Sequence, residues 1–346
     1  MVEEWRKIVI NIAFRVDGGK EVGLGHLMRC IALGEEFPDD IDPLYIIKES
    51  KIAREMLEKY EMKYMQLEAQ LKKCEEIERV KKIIDNKNIN CLITDSYEIV
   101  QDYLREMKKV VGKLVSIHDY APFAFPSDIV INGNVYAREL DYKSTGGNTE
   151  FLLGTDYTLL RKEFQDLPKR DVKENVEDIL VTVGGSDNLN LTPKILKAIN
   201  FLDEADFKVK VIIGSGFNNI NGIIDEVEKS SLETRLIFNV GSMSEVMLES
   251  DLAISGGGST LYELAAAGVP AITLLQAENQ KLVAEGMEKE DCVINLGDGD
   301  KISSMEIKNE IRELLNDYNR RENMSRGGQK LVDGKGAKRC VDRILS

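Results

Sequence analysis

The sequence predicts two α/β domains in tandem, each a doubly wound parallel sheet of the Rossmann type, and three observations support this. Short apolar runs rich in β-branched residues alternate with amphipathic helix patterns along all 346 residues. The alternation restarts after the polar, proline-containing stretch Leu167-Pro168-Lys169-Arg170-Asp171-Val172-Lys173-Glu174-Asn175. Glycine-rich turns follow strands in both halves, at the sheet edge where open α/β folds bind ligands. The length suits two domains that each bury a core. They are expected over 1–165 and 176–346, with a linker at 166–175 and the last helix a candidate to pack back on the first domain. Alternating strands and helices put helices on both faces of each sheet, and two such domains are expected to face a central cleft.

In the first half the strand-like runs lie at 8–14, 44–47, 91–94, 114–117 and 129–131, with helix patterns at 27–36, 53–60 and 77–87. Thr94-Asp95-Ser96-Tyr97 and His118-Asp119-Tyr120 then fall just past the carboxyl ends of strands. In the second half the strands are expected at 179–183, 209–213, 236–238, 252–254 and 271–275, and helices at 192–202, 244–249 and 260–267. The mixed-charge run Lys72 to Lys87 reads as the solvated face of a helix. The segment Tyr120-Ala121-Pro122-Phe123-Ala124-Phe125-Pro126 reads as a lid over a ligand or as aromatic packing beneath a long loop, the second being commoner.

Composition limits the partners. With 43% hydrophobic and 31% charged residues the chain reads as soluble and globular, and a formal net charge of −14 argues against nucleic acid. Cys30, Cys74, Cys91, Cys292 and Cys340 lie far apart with no C-x-x-C pair, which fits reduced thiols and supports neither a disulfide framework nor a metal site. The acidic start Met1-Val2-Glu3-Glu4 lacks the apolar core of a signal peptide, and no apolar run approaches the length of a bilayer span. A cytoplasmic protein without stable membrane insertion is expected.

The most informative stretch is Gly23-Leu24-Gly25-His26-Leu27-Met28-Arg29, where a strand pattern, a glycine turn and a helix pattern meet around one of two histidines in the chain. Glycines there allow close approach of a ligand, and a new helix directs unpaired N–H groups at it. The dipole disfavours an imidazolium at a helix start, which suits His26 to accepting a proton. An isolated histidine is usually a surface or satisfied core residue, so the case depends on the rest of the chain. Two more glycine turns follow strands: Val183-Gly184-Gly185-Ser186-Asp187 and Ile254-Ser255-Gly256-Gly257-Gly258-Ser259-Thr260. Ser259 or Thr260 is placed to cap the next helix, and Glu263, about one turn inside it, to accept hydrogen bonds from ribose hydroxyls. No lysine stands where a P-loop needs one.

These motifs resemble the MurG-like branch of nucleotide-sugar enzymes with the two-domain GT-B fold. Within it they most resemble the UDP-2,4-diacetamido-2,4,6-trideoxy-β-L-altropyranose hydrolase family of pseudaminic acid biosynthesis. The resemblance runs through Arg15-Val16-Asp17, the Gly23 to Arg29 motif, Asp95-Ser96-Tyr97, Leu153 to Phe164, Val183 to Asp187, Ser255 to Glu263 and Ala277-Glu278-Asn279-Gln280. It implies His26 as the general base that activates water, Asn279 as a residue holding sugar or water, and Tyr97 as an active-site tyrosine. It implies Gly257, Gly258, Ser259 and Thr260 as the diphosphate loop, Glu263 as the ribose-binding acid, and the backbone near Val240, with Met243, as the uracil site. Asp17, Gly25, Arg29, Asp95, Gly185, Ser186 and Gln280 complete the expected substrate contacts. Family members often have two adjacent acids where this chain has His118-Asp119, which leaves the role of that spot open.

The expected reaction is an inverting, metal-independent hydrolysis of a UDP-linked diacetamido-trideoxy sugar, with no cofactor. A UDP diphosphate is a good leaving group that needs charge stabilisation more than a strong acid, whereas water needs a base poised near neutral pH. The alternatives are a MurG-like UDP-sugar glycosyltransferase of surface polysaccharide synthesis and, ranked last, a nucleotide-sugar binding protein without catalysis. Neither the sugar nor the oligomeric state can be read from residue types.

Overall fold

The computed structural model describes residues 10–19, 24–202 and 206–346. Gly23, the acidic start of the chain and the first two residues of the strand expected at 8–14 lie outside them. The chain divides into two compact units, one of Met1–Gly133, Ala137–Arg161 and Gly336–Ser346, the other of Asn134–Tyr136 and Lys162–Lys335.

The first unit runs β1 (Ile12–Val16), α1 (Gly25–Gly34), β2 (Leu44–Lys48), α2 (Lys51–Lys59), β3 (Lys63–Leu67), α3 (Lys73–Asn86), β4 (Cys91–Asp95), α4 (Gln101–Lys108), β5 (Lys113–Ile117), β6 (Ala124–Phe125), β7 (Ile129–Asn132), β8 (Lys143–Ser144) and β9 (Glu150–Leu153). Among the described residues, its main sheet has the order β3-β2-β1-β4-β5-β7-β9, and every pairing in it is parallel. Strand periodicity explains its two-sided burial. Ile12, Phe14 and Val16 pack on one face with α1, while Ala13 packs on the other with Val80, Ile83 and Ile84 of α3.

β1 is displaced from its expected span and ends in Arg15-Val16. Arg15 is fully buried inside the strand. A charge is tolerated there because Asp17 and Glu76 pair with it, a compensation that strand propensity does not register. β3 went unpredicted because its outward positions are polar and it sits at the sheet edge.

The second unit runs β10 (Asp178–Thr182), α5 (Leu191–Asn200), β11 (Lys208–Ile213), α6 (Ile220–Glu228), β12 (Thr234–Phe238), α7 (Met243–Leu248), β13 (Leu252–Gly256), α8 (Thr260–Ala266), β14 (Ala271–Leu275), α9 (Lys281–Lys289), β15 (Val293–Asp298), α10 (Ser304–Asn316) and α11 (Tyr318–Leu331). Its parallel sheet has the order β12-β11-β10-β13-β14-β15, the same winding as the first. Residues 166–175, expected as a linker, belong to this unit. Arg170 is held there, its guanidinium donating to the carbonyls of Met247, Ala267 and Ser250.

The last helix, α12 (Gly336–Leu345), belongs to the first unit. Ala337, Cys340, Val341 and Ile344 form its apolar stripe and join the core around α1. Burying a valine or isoleucine contributes about 1.5–3 kcal/mol, so this stripe suffices to hold the helix. Gly336 starts it because a Cβ there would lie 2.2 Å from the Thr158 carbonyl oxygen.

Candidate active site

In the first unit the carboxyl ends of β1, β4 and β5 and the first turn of α1 bring charged side chains together. His26 is the second residue of α1, only 6% exposed, and its Nδ1 lies 2.6 Å from Asp95 Oδ1 at the end of β4. Arg29 Nη2 also lies 3.0 Å from Nδ1, but it donates to Asp95 Oδ1 at 2.6 Å. We therefore assign the Nδ1 proton to the shorter contact with the carboxylate, which only accepts, and in that tautomer Nε2 is an acceptor. Arg29, one helical turn on, donates from Nε to Asp95 Oδ2 and from Nη2 to Asp95 Oδ1, both at 2.6 Å. Its Nη1 reaches Asp119 Oδ1 at 2.6 Å, and Tyr97 Oη donates to Asp119 Oδ2 at 2.7 Å. The His26 and Tyr97 rings meet edge to face with centroids 4.5 Å apart.

The electrostatics follow from this geometry. Burial alone would raise the Asp95 carboxyl, but Arg29 and then His26 outweigh it and hold the group below its ordinary value. Asp119 is held far below its own, since Arg29 again overrides burial. Burial opposes the Arg29 charge, yet Asp119 and Asp95 keep the guanidinium protonated well beyond the usual range. With a neutral His26 the two carboxylates and one guanidinium leave one unit of negative charge.

A second network supports the first. Arg15 donates from Nη1 to Asp17 Oδ1 at 2.6 Å and from Nε to Glu76 Oε1 at 2.9 Å, while Ser96 Oγ donates to Asp17 Oδ2 at 2.5 Å. Asp17, an expected substrate contact, thus has both oxygens held within the fold and fixes the turn that carries Asp95 and Tyr97. Glu76 corrects the solvated-face reading of Lys72 to Lys87: it is 6% exposed and faces Arg15. His118 also resolves. It packs against Phe123 and Phe125, accepts from the Tyr120 N–H at Nδ1, and burial lowers its pKa. The aromatic loop is packing: the Phe125 ring lies tilted against those of Phe123 and Tyr142, and β6 pairs with β8.

The second unit offers backbone. Gly184, at φ +105, turns the chain after β10, and Gly185 has no atom within 4 Å of an added Cβ. Gln276 ties this turn down through Nε2 to the carbonyls of Val183 (2.6 Å) and Ser186 (3.3 Å). The Gly257 N–H donates to Gln280 Oε1, which also accepts from the Gln276 N–H, so Gln280 braces the loop. Gly258 and Thr260 flank Ser259, the N-cap of α8. Ser259 does not cap through its side chain, because its φ −58 and ψ −20 are already helical, whereas a capping side chain needs an extended backbone to reach back. Glu263 lies in the first turn of α8, and the exposed Asn279 in the 3₁₀ turn Glu278–Gln280. Val240 and Met243 flank Ser242, the N-cap of α7. Glu163 Oε2 receives the Ser242 hydroxyl (3.0 Å) and the Ser244 N–H (3.1 Å) there.

The structure thus gathers His26, Gly25, Arg29, Tyr97, Asp95 and Asp17 in the first unit and places the other expected contacts in the second. It adds Asp119, Arg15 and Glu76. Asp119 stood past a strand end in the sequence, but no spacing rule pairs it with Arg29, 90 residues away. Among the described residues, no group of three or more His, Cys, Asp or Glu is arranged to hold a metal ion, and no helix is long and apolar enough to cross a membrane.

Comparison with known proteins agrees with the fold. Residues 178–340 match the glycosyltransferase family 28 C-terminal domain. The matched span takes in the parallel sheet of the second unit and reaches into the last helix of the chain. The chain superposes on MurG of Acinetobacter baumannii with a TM-score of 0.71 at 12% identity, covering 97% of this chain and 99% of that one, which shows a shared GT-B fold. It is 27% identical to the spore coat polysaccharide biosynthesis protein SpsG of Bacillus subtilis over 94% of this chain and 95% of that protein. It is 24% identical to the UDP-2,4-diacetamido-2,4,6-trideoxy-β-L-altropyranose hydrolase of Campylobacter jejuni over 81% of this chain and 97% of the relative, which bears the name of the family the motifs resemble. An uncharacterised Methanocaldococcus jannaschii protein is 28% identical, and the match spans 57% of its length.

Proposed function

We propose that the chain is a UDP-sugar hydrolase that releases UDP and a free diacetamido-trideoxy sugar, with His26 as the general base. The observation that carries this reading is the His26–Asp95 pair within a cluster bearing one net negative charge. It provides a buried imidazole with a fixed tautomer and a compensated imidazolium, which is what water activation needs. Water attacks the anomeric carbon, the bond to the diphosphate oxygen breaks, and the sugar emerges with inverted configuration. On this reading the glycine turns of the second unit hold the diphosphate, Glu263 the ribose, and the backbone near Val240 with Met243 the uracil. Asn279 holds the sugar or the water. The place in surface-glycan precursor synthesis rests on the names of the relatives from Campylobacter jejuni and Bacillus subtilis.

The family 28 domain favours a second reading, in which the same machinery transfers the sugar to an acceptor. UDP release from a panel of UDP-acetamido sugars, in metal-free buffer, separates the two. Release in water by the wild type, lowered about 10²- to 10⁴-fold by His26→Ala with UDP binding retained, supports hydrolysis. Release only with an added acceptor supports transfer, and full activity of His26→Ala sinks the proposed base.

A further inference from the structure

Tyr97 is 44% exposed at the site, yet its hydroxyl is committed on one side. A phenol has one proton, and Tyr97 donates it to Asp119 Oδ2, whose other oxygen receives Arg29 Nη1. Tyr97 Oη therefore meets any further partner as an acceptor. His26 is locked in the same sense by a different carboxylate, its Nδ1–H held by Asp95 so that Nε2 accepts. Arg29 bridges both carboxylates and keeps both ionised. Two neighbouring acceptors suit a partner with two protons on one atom. Water is such a partner, whereas a sugar hydroxyl or acetamido N–H has one.

We propose that Asp119 is a positioning residue of the hydrolysis: by holding the Tyr97 proton it makes Tyr97 Oη the second acceptor for the water whose first acceptor is His26. This rests on the hydrolytic reading above. Water donates one proton towards His26 and the other towards Tyr97, which turns an oxygen lone pair towards the anomeric carbon. As the carbon–oxygen bond forms, the bond to the diphosphate breaks and UDP leaves with its electron pair. One water proton passes to His26, and the other stays on the new hydroxyl of the sugar.

Asp119→Asn is the decisive variant because it is isosteric. A carboxamide has one oxygen to offer, and the charged Arg29 takes it. The amide NH₂ then faces Tyr97 and reverses the phenol into an outward donor. Hydrolytic kcat is expected to fall about 100-fold in Asp119→Asn and in Tyr97→Phe, with KM nearly unchanged. In the Tyr97→Phe background, Asp119→Asn is expected to add little. An equal fall in both backgrounds overturns the proposal, as does an unaltered kcat in Tyr97→Phe, which decides the matter if Asp119→Asn does not fold.

A second measurement needs no turnover. In protein labelled with 3-fluorotyrosine, the ¹⁹F resonance that disappears in Tyr97→Phe is followed through alkaline pH. The charged and titratable groups around it are Asp119, Arg29, Asp95, His26, His118 and Tyr120. Burial and the Asp119 charge are expected to keep this resonance from titrating where exposed tyrosines do, and Asp119→Asn to release it. The same titration in both proteins overturns the link. Absence of water-dependent UDP release by the wild type, with the link intact, overturns the hydrolytic reading instead.

Discussion

The two units share one winding and differ in what they place at the carboxyl edge of the sheet. β3-β2-β1-β4-β5 and β12-β11-β10-β13-β14 are the same order, yet the first edge carries His26, Arg29, Asp95, Tyr97 and Asp119, while the second carries glycines, backbone amides and Gln276. Side chains can hold and move protons. Bare backbone allows close approach and offers N–H groups without adding charge, which suits an anion. One scaffold thus supports two kinds of chemistry because the strands set the positions and the turns choose the groups.

The comparison can be broken most sharply at Asp95. Asp95→Asn removes the acceptor that fixes the His26 tautomer and leaves Arg29 paired only with Asp119. UDP release is expected to fall on the order of 10³-fold, read by a coupled assay, while UDP affinity, which the proposal assigns to the second unit, holds. Loss of UDP binding without loss of turnover would reverse the division of labour between the units. Arg15→Leu tests the support beneath the site. Breaking a buried ion network by removing one partner costs about 3–5 kcal/mol, because Asp17 and Glu76 stay buried, and urea unfolding should show it. No change would mean that Asp17 and Glu76 find other partners.

The acidic cluster also sharpens the contrast in pH dependence. Asp95 and Asp119 titrate below their ordinary values in the folded state, so their contribution to stability is fully present above about pH 4 and is lost as the pH falls below it. Asp119→Asn should flatten the acid limb of the stability curve in thermal melts between neutral pH and pH 3. An unchanged limb would show that Arg29 does not depend on Asp119. The smallest effect on the fold is expected at Gly185→Ala. A Cβ there meets nothing within 4 Å, so stability should stay within about 0.5 kcal/mol while UDP affinity falls, as calorimetry would measure. Unchanged affinity would remove Gly185 from the proposed diphosphate site.

The sequence singled out Tyr97 because it stands just after a strand-like run, where the period-2 pattern stops, and His26 because it opens a helix after a glycine turn. The glycine turns were readable for the same reason. Asp119 was visible at a strand end, but its role came only from the approach of Arg29. Glu76 was misread because the charged run Lys72 to Lys87 gives no sign of which carboxylate turns inward. The 166–175 linker was misread because burial of Arg170 depends on carbonyls more than 70 residues away.

By itself, then, the sequence determined the two parallel sheets and the turns that end their strands. Hydrophobic periodicity and glycine placement are local, and they act over distances that a short stretch of chain can encode. The tertiary structure alone decided the pairing of Asp95 with His26, of Asp119 with Tyr97 and Arg29, and of Arg15 with Glu76. Those contacts join residues far apart in the chain, and a buried charge is tolerated only where folding has already delivered its partner.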